Sequence, residues 1–319
     1  MPDKNTLEKR RALSLHPRNK HRQRYDFQQL TQVCSELSPF VQLTNYGDAS
    51  IDFFNPEAVK MLNKALLKQH YSVDNWDIPT GYLCPPIPSR ADYVHYIGDV
   101  LATKNGVKIP VGKAIKCLDI GVGANGIYPI IAHKEYGWTF IGADIDPVSL
   151  ESVGKIIDAN PSLKDAIELR LQTDNRDSIN GILKQNERID ATFCNPPFHA
   201  SHAEAQAGTQ RKLNNLTQTK NAKLSLNFGG QNNELWCEGG EVKFIKNMMQ
   251  QSRQYADSCF WYSTLVSKQT TLKPILETLK RLKALEIKTI DMQQGNKVSR
   301  IVAWTFLTET EQKQWIKAW

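Results

Sequence analysis

The spacing of apolar residues along the chain changes near residue 113. Before that point, residues 25–37, 55–70 and 91–102 carry apolar side chains three and four positions apart, which predicts three helices. After it, short apolar runs alternate with helix-spaced segments. The predicted strands are 114–120, 138–145, 166–171, 189–194, 259–267 and 298–306. One predicted helix ends at about residue 135, and two further helices span 147–159 and 272–285.

Strands that alternate with helices predict an α/β fold, in which a mostly parallel sheet is covered by helices on both faces. We therefore divide the chain into an N-terminal segment (1–24), a mainly helical region (25–112) and an α/β domain (113–319). Residues 77–90 contain four prolines, which predicts an ordered, extended segment on the surface.

One long polar insertion interrupts the predicted α/β domain. Residues 199–234 are rich in Asn, Gln, Ala, Lys and Gly. A loop of this length inside a compact domain is usually functional or disordered. Because the insertion follows shortly after the strand predicted at 189–194, we expect a mobile lid over a site at the end of that strand. A surface insertion without a function is the alternative.

A glycine-rich turn follows the first strand of the α/β domain. Gly121, Gly123 and Gly126 form a G-x-G-x-x-G pattern, and Asp144 ends the next strand about 20 residues later. This pattern is typical of sites for NAD and for S-adenosylmethionine. Asp119 favours S-adenosylmethionine as the cofactor, because a carboxylate attracts the methionine ammonium but repels a pyrophosphate. Capping of the turn by Asp119 is the alternative.

The sequence Asn195-Pro196-Pro197-Phe198 stands directly after the strand predicted at 189–194. The exocyclic amino group of a base is a weak nucleophile, because its lone pair is delocalised into the ring. Asn195 Oδ1 and the Pro196 carbonyl can accept both N–H groups and free that lone pair, while Phe198 stacks on the base. These residues predict direct transfer of a methyl group to an amino nitrogen, with orientation as the main catalytic contribution.

Composition limits the other kinds of site. The six cysteines have no zinc or redox spacing, so we expect reduced thiols and no metal. Cys194 could be a nucleophile only beside a base, and the sequence places none next to it. No apolar run reaches the roughly 18 residues of a membrane span, and the N-terminus carries no signal region. We therefore expect a cytoplasmic protein without membrane contact.

Positive charge is concentrated at the N-terminus. Residues 1–24 hold eight Lys or Arg and two acidic residues, which accounts for six of the seven net positive charges. A basic arm on a nearly neutral body is typical of a protein that binds a polyanion. In this arm, His16, Arg18, Asn19 and Lys20 combine flat, hydrogen-bonding and cationic groups suited to RNA. A solubilising tail is the alternative.

The motifs together resemble a known family. Similarity to the ribosomal RNA large subunit methyltransferase F family rests on the glycine-rich turn, the Asn-Pro-Pro-Phe sequence and three further motifs. These motifs lie at residues 118–129, 195–198, 16–20, 54–56 and 238–241. Members of the family methylate N6 of an adenine in 23S ribosomal RNA, and they are related to the eukaryotic N6-adenine methyltransferase that modifies U6 snRNA.

The resemblance implies a Rossmann-like class I methyltransferase fold with a seven-stranded sheet and S-adenosylmethionine as cofactor. It implies that the turn at Gly121 and Gly123 binds the cofactor together with Asp144. Arg90 matches an arginine that the family places near the cofactor. Residues 195–198 would hold the adenine, and 23S ribosomal RNA would be the partner. Residues 172–177, where such enzymes hold the cofactor's adenine, match no clear pattern.

Other functions remain open at this point. Methylation of guanine N2 in ribosomal RNA, or of a protein glutamine, poses the same electronic problem for the amino group, although the basic arm disfavours a protein substrate. A non-catalytic RNA-binding or ribosome-assembly factor would keep the fold without the reaction. The presence of Asp119, Asp144 and Asn195 argues against that reading. An oxidoreductase that uses NAD is a further alternative.

Overall fold

The computed structural model describes residues 15–197, 199, 201, 232–294 and 297–319 of the chain. The described part begins with a mainly helical region, as the sequence predicts. Its elements are α1 (Phe27–Val33), a 3-10 helix (Ser35–Phe40), the strands β1 (Val41–Leu43) and β2 (Ala49–Ile51), and the helices α2 (Pro56–Tyr71) and α3 (Ile87–Ala102).

This region differs from the sequence prediction in three respects. The first helix ends at Val33, and a 3-10 helix that contains Pro39 follows it. Because each strand of the β1–β2 hairpin has only three residues, no periodic signal predicts it. Helix α3 begins at Ile87 rather than at residue 91, since Pro88 lies in its first turn, where a proline removes no helical hydrogen bond.

The α/β unit contains seven strands and the helices that cover them. The strands are β3 (Lys116–Ile120), β4 (Thr139–Asp144), β5 (Ile167–Leu171), β6 (Ile189–Cys194), β7 (Cys259–Val266), β8 (Glu286–Gln294) and β9 (Lys297–Thr305). The helices are α4 (Ile127–Tyr136), α5 (Pro147–Asp158), α6 (Asn232–Leu235), α7 (Gly240–Gln254), α8 (Gln269–Arg281) and α9 (Glu309–Trp315). Among the described residues, no helix has the length and apolar character that crossing a membrane requires.

The strands form one sheet with the order β5-β4-β3-β6-β7-β9-β8. The first five strands in this order run parallel, and β9 is antiparallel to both β7 and β8. The predicted seven-stranded, mostly parallel sheet is therefore confirmed. Strand β8 is absent from the sequence prediction because its apolar residues, Ile287, Ile290 and Met292, do not follow a regular two-residue period. The prediction also lacks helices α7 and α9.

Two apolar clusters cover the two faces of the sheet. Successive residues of a strand point to opposite faces, and Ala303 accordingly joins one cluster while Val302 joins the other. Helices α1 to α5 and α9 pack on the first face, and α7 and α8 on the second. The helical region thus shares a core with the α/β unit, which fixes the position of α3 beside the strand ends.

A buried carboxylate fastens the C-terminal residues to the start of β6. Asp190 is only 5% exposed. It accepts hydrogen bonds from the indole N–H groups of Trp315, at 2.7 Å, and Trp319, at 2.6 Å, and from the backbone N–H of Lys116, at 2.8 Å. Removing this acceptor would leave three donors without their shared partner.

We predict that Asp190→Ala lowers the free energy of unfolding by about 3 kcal/mol, because buried donors that lose their acceptor pay a desolvation penalty. Urea-induced unfolding measures this change. The exposed Asp165 supplies a control, and Asp165→Ala is expected to stay within about 0.5 kcal/mol of the wild type. Equal stability of the two variants would contradict a stabilising role for the buried carboxylate.

Candidate active site

The carboxyl ends of β3, β4 and β6 open into one cavity of about 670 Å³. The ligand site of an open α/β sheet lies at this edge, where the strand order reverses. Several residues that the sequence analysis assigns to cofactor or substrate share its wall. They are Arg90, Gly121, Gly123, Asp144, Asn195 and Pro197.

Strand register brings the glycine turn and the Asn-Pro-Pro sequence together. Ile120 of β3 is paired with Cys194 of β6, so Gly121 and Asn195 are the next residues on two adjacent strands. Adjacent strands are about 4.8 Å apart. The turn and the Asn-Pro-Pro sequence therefore begin as close neighbours at the same edge of the sheet.

The glycine turn has a backbone conformation that other residues adopt only with strain. Gly121 has a φ of +78° and Gly123 a φ of +62°, both in the left-handed region. A Cβ on Gly121 would meet no atom within 4 Å, so the turn presents bare backbone to open space. The N–H groups of Gly121 and Val122 both donate to the carbonyl of Ala143, each at 2.9 Å. This arrangement suits the close approach of a ligand.

Asp144 holds the turn from β4. Its Oδ2 accepts a hydrogen bond from Gly123 N at 2.8 Å, and its Oδ1 accepts one from Asp146 N at 3.0 Å. Burial raises the pKa of Asp144, while these two bonds oppose the shift. Each oxygen keeps a lone pair for a further donor, such as a ribose hydroxyl. Asp146 instead caps α5 and accepts a bond from Tyr82 Oη at 2.7 Å.

Asp119 and Arg90 are an acidic and a basic residue, both buried, behind and beside the turn. Asp119 is 1% exposed, is not part of the cavity wall, and has no hydrogen-bond partner for either oxygen among the described residues. Burial and nearby Asp144 raise its pKa well above the usual range, and Arg90 opposes this. Arg90 lines the cavity and donates from Nη1 to Tyr128 Oη at 2.7 Å, whereas its Nε lacks a partner in the described chain.

These unpaired buried atoms fit the zwitterionic methionine end of S-adenosylmethionine. Arg90 can pair with its carboxylate and Asp119 with its ammonium, and buried charges are tolerated when they are paired in this way. The open backbone at Gly121 and the free lone pairs of Asp144 suit the rest of the molecule. The contact of Asp119 with the cofactor stays a prediction, because the structure places it behind the wall.

The Asn-Pro-Pro sequence is supported from behind by buried hydrogen bonds. Cys194 N donates to Tyr93 Oη at 3.4 Å, and Tyr93 Oη is bonded to Ser263 Oγ at 2.8 Å. Asn195 and Pro197 line the cavity, whereas Pro196 is buried beneath them. Full burial raises the pKa of the Cys194 thiol, so this cysteine does not supply a thiolate. Phe198 lies outside the described residues.

Residues at the end of the insertion and just after it close the cavity, and the sequence analysis named none of them as site residues. Most of the predicted lid at 199–234 lies outside the described residues, but Glu234, Trp236 and Lys243 line the cavity. Glu234 Oε2 accepts a hydrogen bond from Leu83 N at 3.1 Å, which ties this segment to the proline-rich segment. The motif at 238–241 is the signal in the sequence that could have indicated this part of the wall.

The proline-rich segment is less exposed than predicted. Leu83 and Pro85 line the cavity, and Cys84 is buried. Its last four residues, 87–90, belong to α3. The prediction of an extended surface segment is therefore wrong for this end, because Asn63 of α2 donates from Nδ2 to the Pro85 carbonyl at 2.7 Å and draws the segment inward.

Comparison with known proteins agrees with this geometry. A family model described as RNA methyltransferase matches residues 9–308. The chain is 56% identical over 304 residues to ribosomal RNA large subunit methyltransferase F of Cytophaga hutchinsonii, which covers 95% of this chain and 94% of the relative. The protein of that name from Yersinia enterocolitica is 54% identical over 316 residues, with coverage of 99% and 94%. The chain belongs to the ribosomal RNA large subunit methyltransferase F family.

Solved structures of human METTL16 have a similar fold. One is the hMettl16 catalytic domain in complex with the MAT2A 3′UTR hairpin 1, with a TM-score of 0.77, 27% identity and coverage of 92% of this chain and 96% of that chain. Another is the N-terminal domain of human METTL16 in complex with SAH, with a TM-score of 0.72, 25% identity and coverage of 92% and 99%. Membership of the methyltransferase F family confirms the predicted class I fold, the enzyme class and the S-adenosylmethionine cofactor.

The motif at 16–20 packs against α3 and α4. His16 is 3% exposed; its N–H donates to Asp92 Oδ1 at 3.0 Å, and its Nε2 is bonded to Asp99 Oδ2 at 2.9 Å. Asn19 is 4% exposed and donates from Nδ2 to the Pro88 carbonyl at 2.8 Å and also to Asp92. We call residues 16–20 the N-terminal clamp, because these bonds hold the helix that carries Arg90.

Arg18 and Lys20 are the more exposed members of the clamp. Arg18 Nη2 is 2.6 Å from Asp99 Oδ1 and Lys20 Nζ is 2.9 Å from Glu135 Oε1, yet each side chain is 40% exposed. The role of His16, Arg18, Asn19 and Lys20 in binding RNA stays a prediction. The structure gives His16 and Asn19 an intramolecular role, which the sequence alone does not reveal.

We predict that Asp144→Ala lowers the affinity for S-adenosylmethionine by about 10- to 100-fold, since it removes both a ligand acceptor and the bond that shapes the turn. Isothermal titration calorimetry measures this affinity. Asp144→Asn is the matched control, because it keeps one acceptor oxygen and is expected to bind more tightly than the Ala variant. Wild-type affinity in the Ala variant would refute the assignment of Asp144.

For the clamp, we predict that Asn19→Ala lowers the free energy of unfolding by about 1–3 kcal/mol, because buried Asp92 and the Pro88 carbonyl lose their donor. Thermal or urea unfolding measures the change. The exposed turn residue Asn45 supplies the control, with an expected change within about 0.5 kcal/mol for Asn45→Ala. If Asn19→Ala instead keeps full stability and weakens RNA binding, the clamp is an RNA-binding element and not a structural one.

Proposed function

We propose that this protein methylates N6 of one adenine in 23S ribosomal RNA in the cytoplasm, either on free RNA or on an assembling subunit. The family name of its relatives supports ribosomal RNA of the large subunit as the substrate. The proposal of an amino nitrogen as methyl acceptor rests on the pairing of Ile120 with Cys194 in adjacent strands, because this pairing sets Asn195 beside the glycine turn.

Arg90, Gly121, Gly123 and Asp144 would hold the cofactor, with Asp119 supporting its ammonium. S-adenosylmethionine supplies an electrophilic methyl group to this site when it is bound. The chain orients the acceptor nitrogen toward that group. The pairing of β3 with β6 and the buried bonds behind Cys194 keep this orientation fixed, so little reorganisation is needed during the reaction.

Asn195 Oδ1 and the Pro196 carbonyl would accept the two N–H groups of adenine N6. This arrangement favours a tetrahedral nitrogen and directs its lone pair toward the methyl donor. After transfer the nitrogen carries a positive charge and loses a proton readily, so the site needs no strong base. The buried Cys194 thiol takes no part in the reaction. Phe198 would stack on the ring, as its position in the motif suggests.

The adenine can enter such a cavity only when it is unpaired or turned out of a helix. Four basic residues at 1–14 and the half-exposed Arg18 and Lys20 would contact the RNA backbone. Residues 199–234 would form the lid.

Mass analysis of nucleosides in 23S ribosomal RNA tests the proposal: cells that lack this protein should lose one N6-methyladenosine. Loss of N2-methylguanosine instead would overturn it.

We predict that Asn195→Ala lowers kcat by about 100-fold or more, because it removes an acceptor that acts on the reacting nitrogen. Its affinity for S-adenosylmethionine should stay within about threefold of the wild type. Single-turnover methyl transfer and calorimetry measure the two quantities. Asn105, in the turn that follows α3, does not line the cavity and supplies the control variant Asn105→Ala with unchanged kcat. Full activity of the Asn195 variant would show that this amide does not act on the amino group.

A further inference from the structure

A tryptophan that the proposed mechanism leaves unused lines the cavity with Asn195 and Pro197. The Nε1 atom of Trp236 is buried and has no hydrogen-bond partner in the part of the chain that the structure describes. A buried Trp N–H usually finds an acceptor. An indole whose N–H group has none, in the wall of a ligand cavity, is therefore a candidate for contact with a ligand.

The backbone fixes Trp236 beside the Asn-Pro-Pro sequence. His199, two residues after Pro197, forms a parallel β-bridge with Trp236. His199 N donates to the Leu235 carbonyl at 3.1 Å, and Cys237 N donates to the His199 carbonyl at 3.1 Å. Trp236 therefore stands at the Asn195 end of the cavity, where the proposed function places the target base.

An unpaired indole N–H is not by itself a mark of a binding site. Nε1 of Trp261 is also buried without a partner among the described residues, but Trp261 lies on β7 inside the first apolar cluster and does not line the cavity. Of these two tryptophans, Trp236 alone combines the unpaired donor with a place in the cavity wall and a backbone link to the segment that follows the Asn-Pro-Pro sequence. Trp261 is thus a matched reference for Trp236.

The chemistry of the indole suits adenine. The indole Nε1–H is a donor only, and adenine presents the acceptor nitrogens N1 and N7 on the two sides of its amino group. If guanine N2 were held by Asn195 Oδ1 and the Pro196 carbonyl instead, the ring atom on one side of the amino group would be N1, which carries a hydrogen. This N1–H donor would oppose the indole N–H. A donor placed next to the two amino acceptors would therefore pair with adenine in either orientation, but with guanine only in the orientation that brings its acceptor N3 to the indole.

We propose that Trp236 is a specificity-determining residue whose indole forms one wall of the target-base pocket and donates its Nε1–H to N1 or N7 of the adenine. This inference rests on the proposed function. The sequence gives only a weak sign of it, since Trp236 precedes the motif at 238–241 by two residues. The insertion between Pro197 and Trp236 conceals their proximity, which only the β-bridge at His199 shows.

The test compares wild type and Trp236→Phe, which keeps an aromatic ring but removes the donor. The substrates are unmodified 23S ribosomal RNA carrying adenosine, 1-deazaadenosine or 7-deazaadenosine at the target. We expect Trp236→Phe to lower kcat/KM about tenfold on adenosine, the effect of one lost hydrogen bond. On one of the two analogues the variant and the wild type should have the same kcat/KM, and the nitrogen missing from that analogue is then the acceptor of the indole N–H. Affinity for S-adenosylmethionine should not change.

Two outcomes would overturn the inference. One is an equal loss for Trp236→Phe on all three RNAs, which indicates a structural role; the other is a matching loss of S-adenosylmethionine affinity, which places the indole at the cofactor. Trp261→Phe should show the same substrate ratios as the wild type. If Trp236→Phe does not fold, the wild-type protein alone must still show a kcat/KM about tenfold lower on one analogue than on adenosine. A wild-type product other than N6-methyladenosine would refute the proposed function instead, so the two failures are distinguishable.

Discussion

Parallel pairing of β3 with β6 is the constraint on which the site depends. Because Ile120 is paired with Cys194, both strands end at the same level of the sheet. The glycine turn and the Asn-Pro-Pro sequence then start at the next residue of each strand. A shift of one residue would turn every side chain of β6 to the other face of the sheet. Buried residues on both faces of the sheet resist such a shift. The hydrophobic core therefore sets the distance between the glycine turn and the Asn-Pro-Pro sequence.

The helical region completes the site from outside the sheet. Arg90 reaches the cavity because α3 packs on the first apolar cluster and because the N-terminal clamp bonds to Asp92 and Asp99. Burial lowers the pKa of His95 to about 3 and raises that of Asp92 to about 6. The clamp thus bonds to buried polar residues of α3, whose surroundings shift both pKa values toward the neutral form. In the sequence, the clamp follows shortly after the basic residues at 1–14.

Much of this arrangement could be predicted from sequence, because it follows from local rules. Strand and helix periods give the sheet, and glycines before α4 give the turn. Asp144 and Asn195 are recognisable because they directly follow or end apolar runs. Contacts between residues that are far apart in the sequence could not be predicted in this way. The motif at 16–20 reads as a free basic arm, and only the fold shows its bonds to α3. Trp236 lies 39 residues beyond Pro197, across an insertion that gives no sign that the two residues line one cavity.

The central claim is that the Asn-Pro-Pro sequence presents an adenine amino group to the methyl donor. Methyl transfer by the purified protein to unmodified 23S ribosomal RNA, with mass identification of the labelled nucleoside, measures this most directly. The account predicts a single N6-methyladenosine. A labelled N2-methylguanosine, or binding of RNA and S-adenosylmethionine without any transfer, would contradict it.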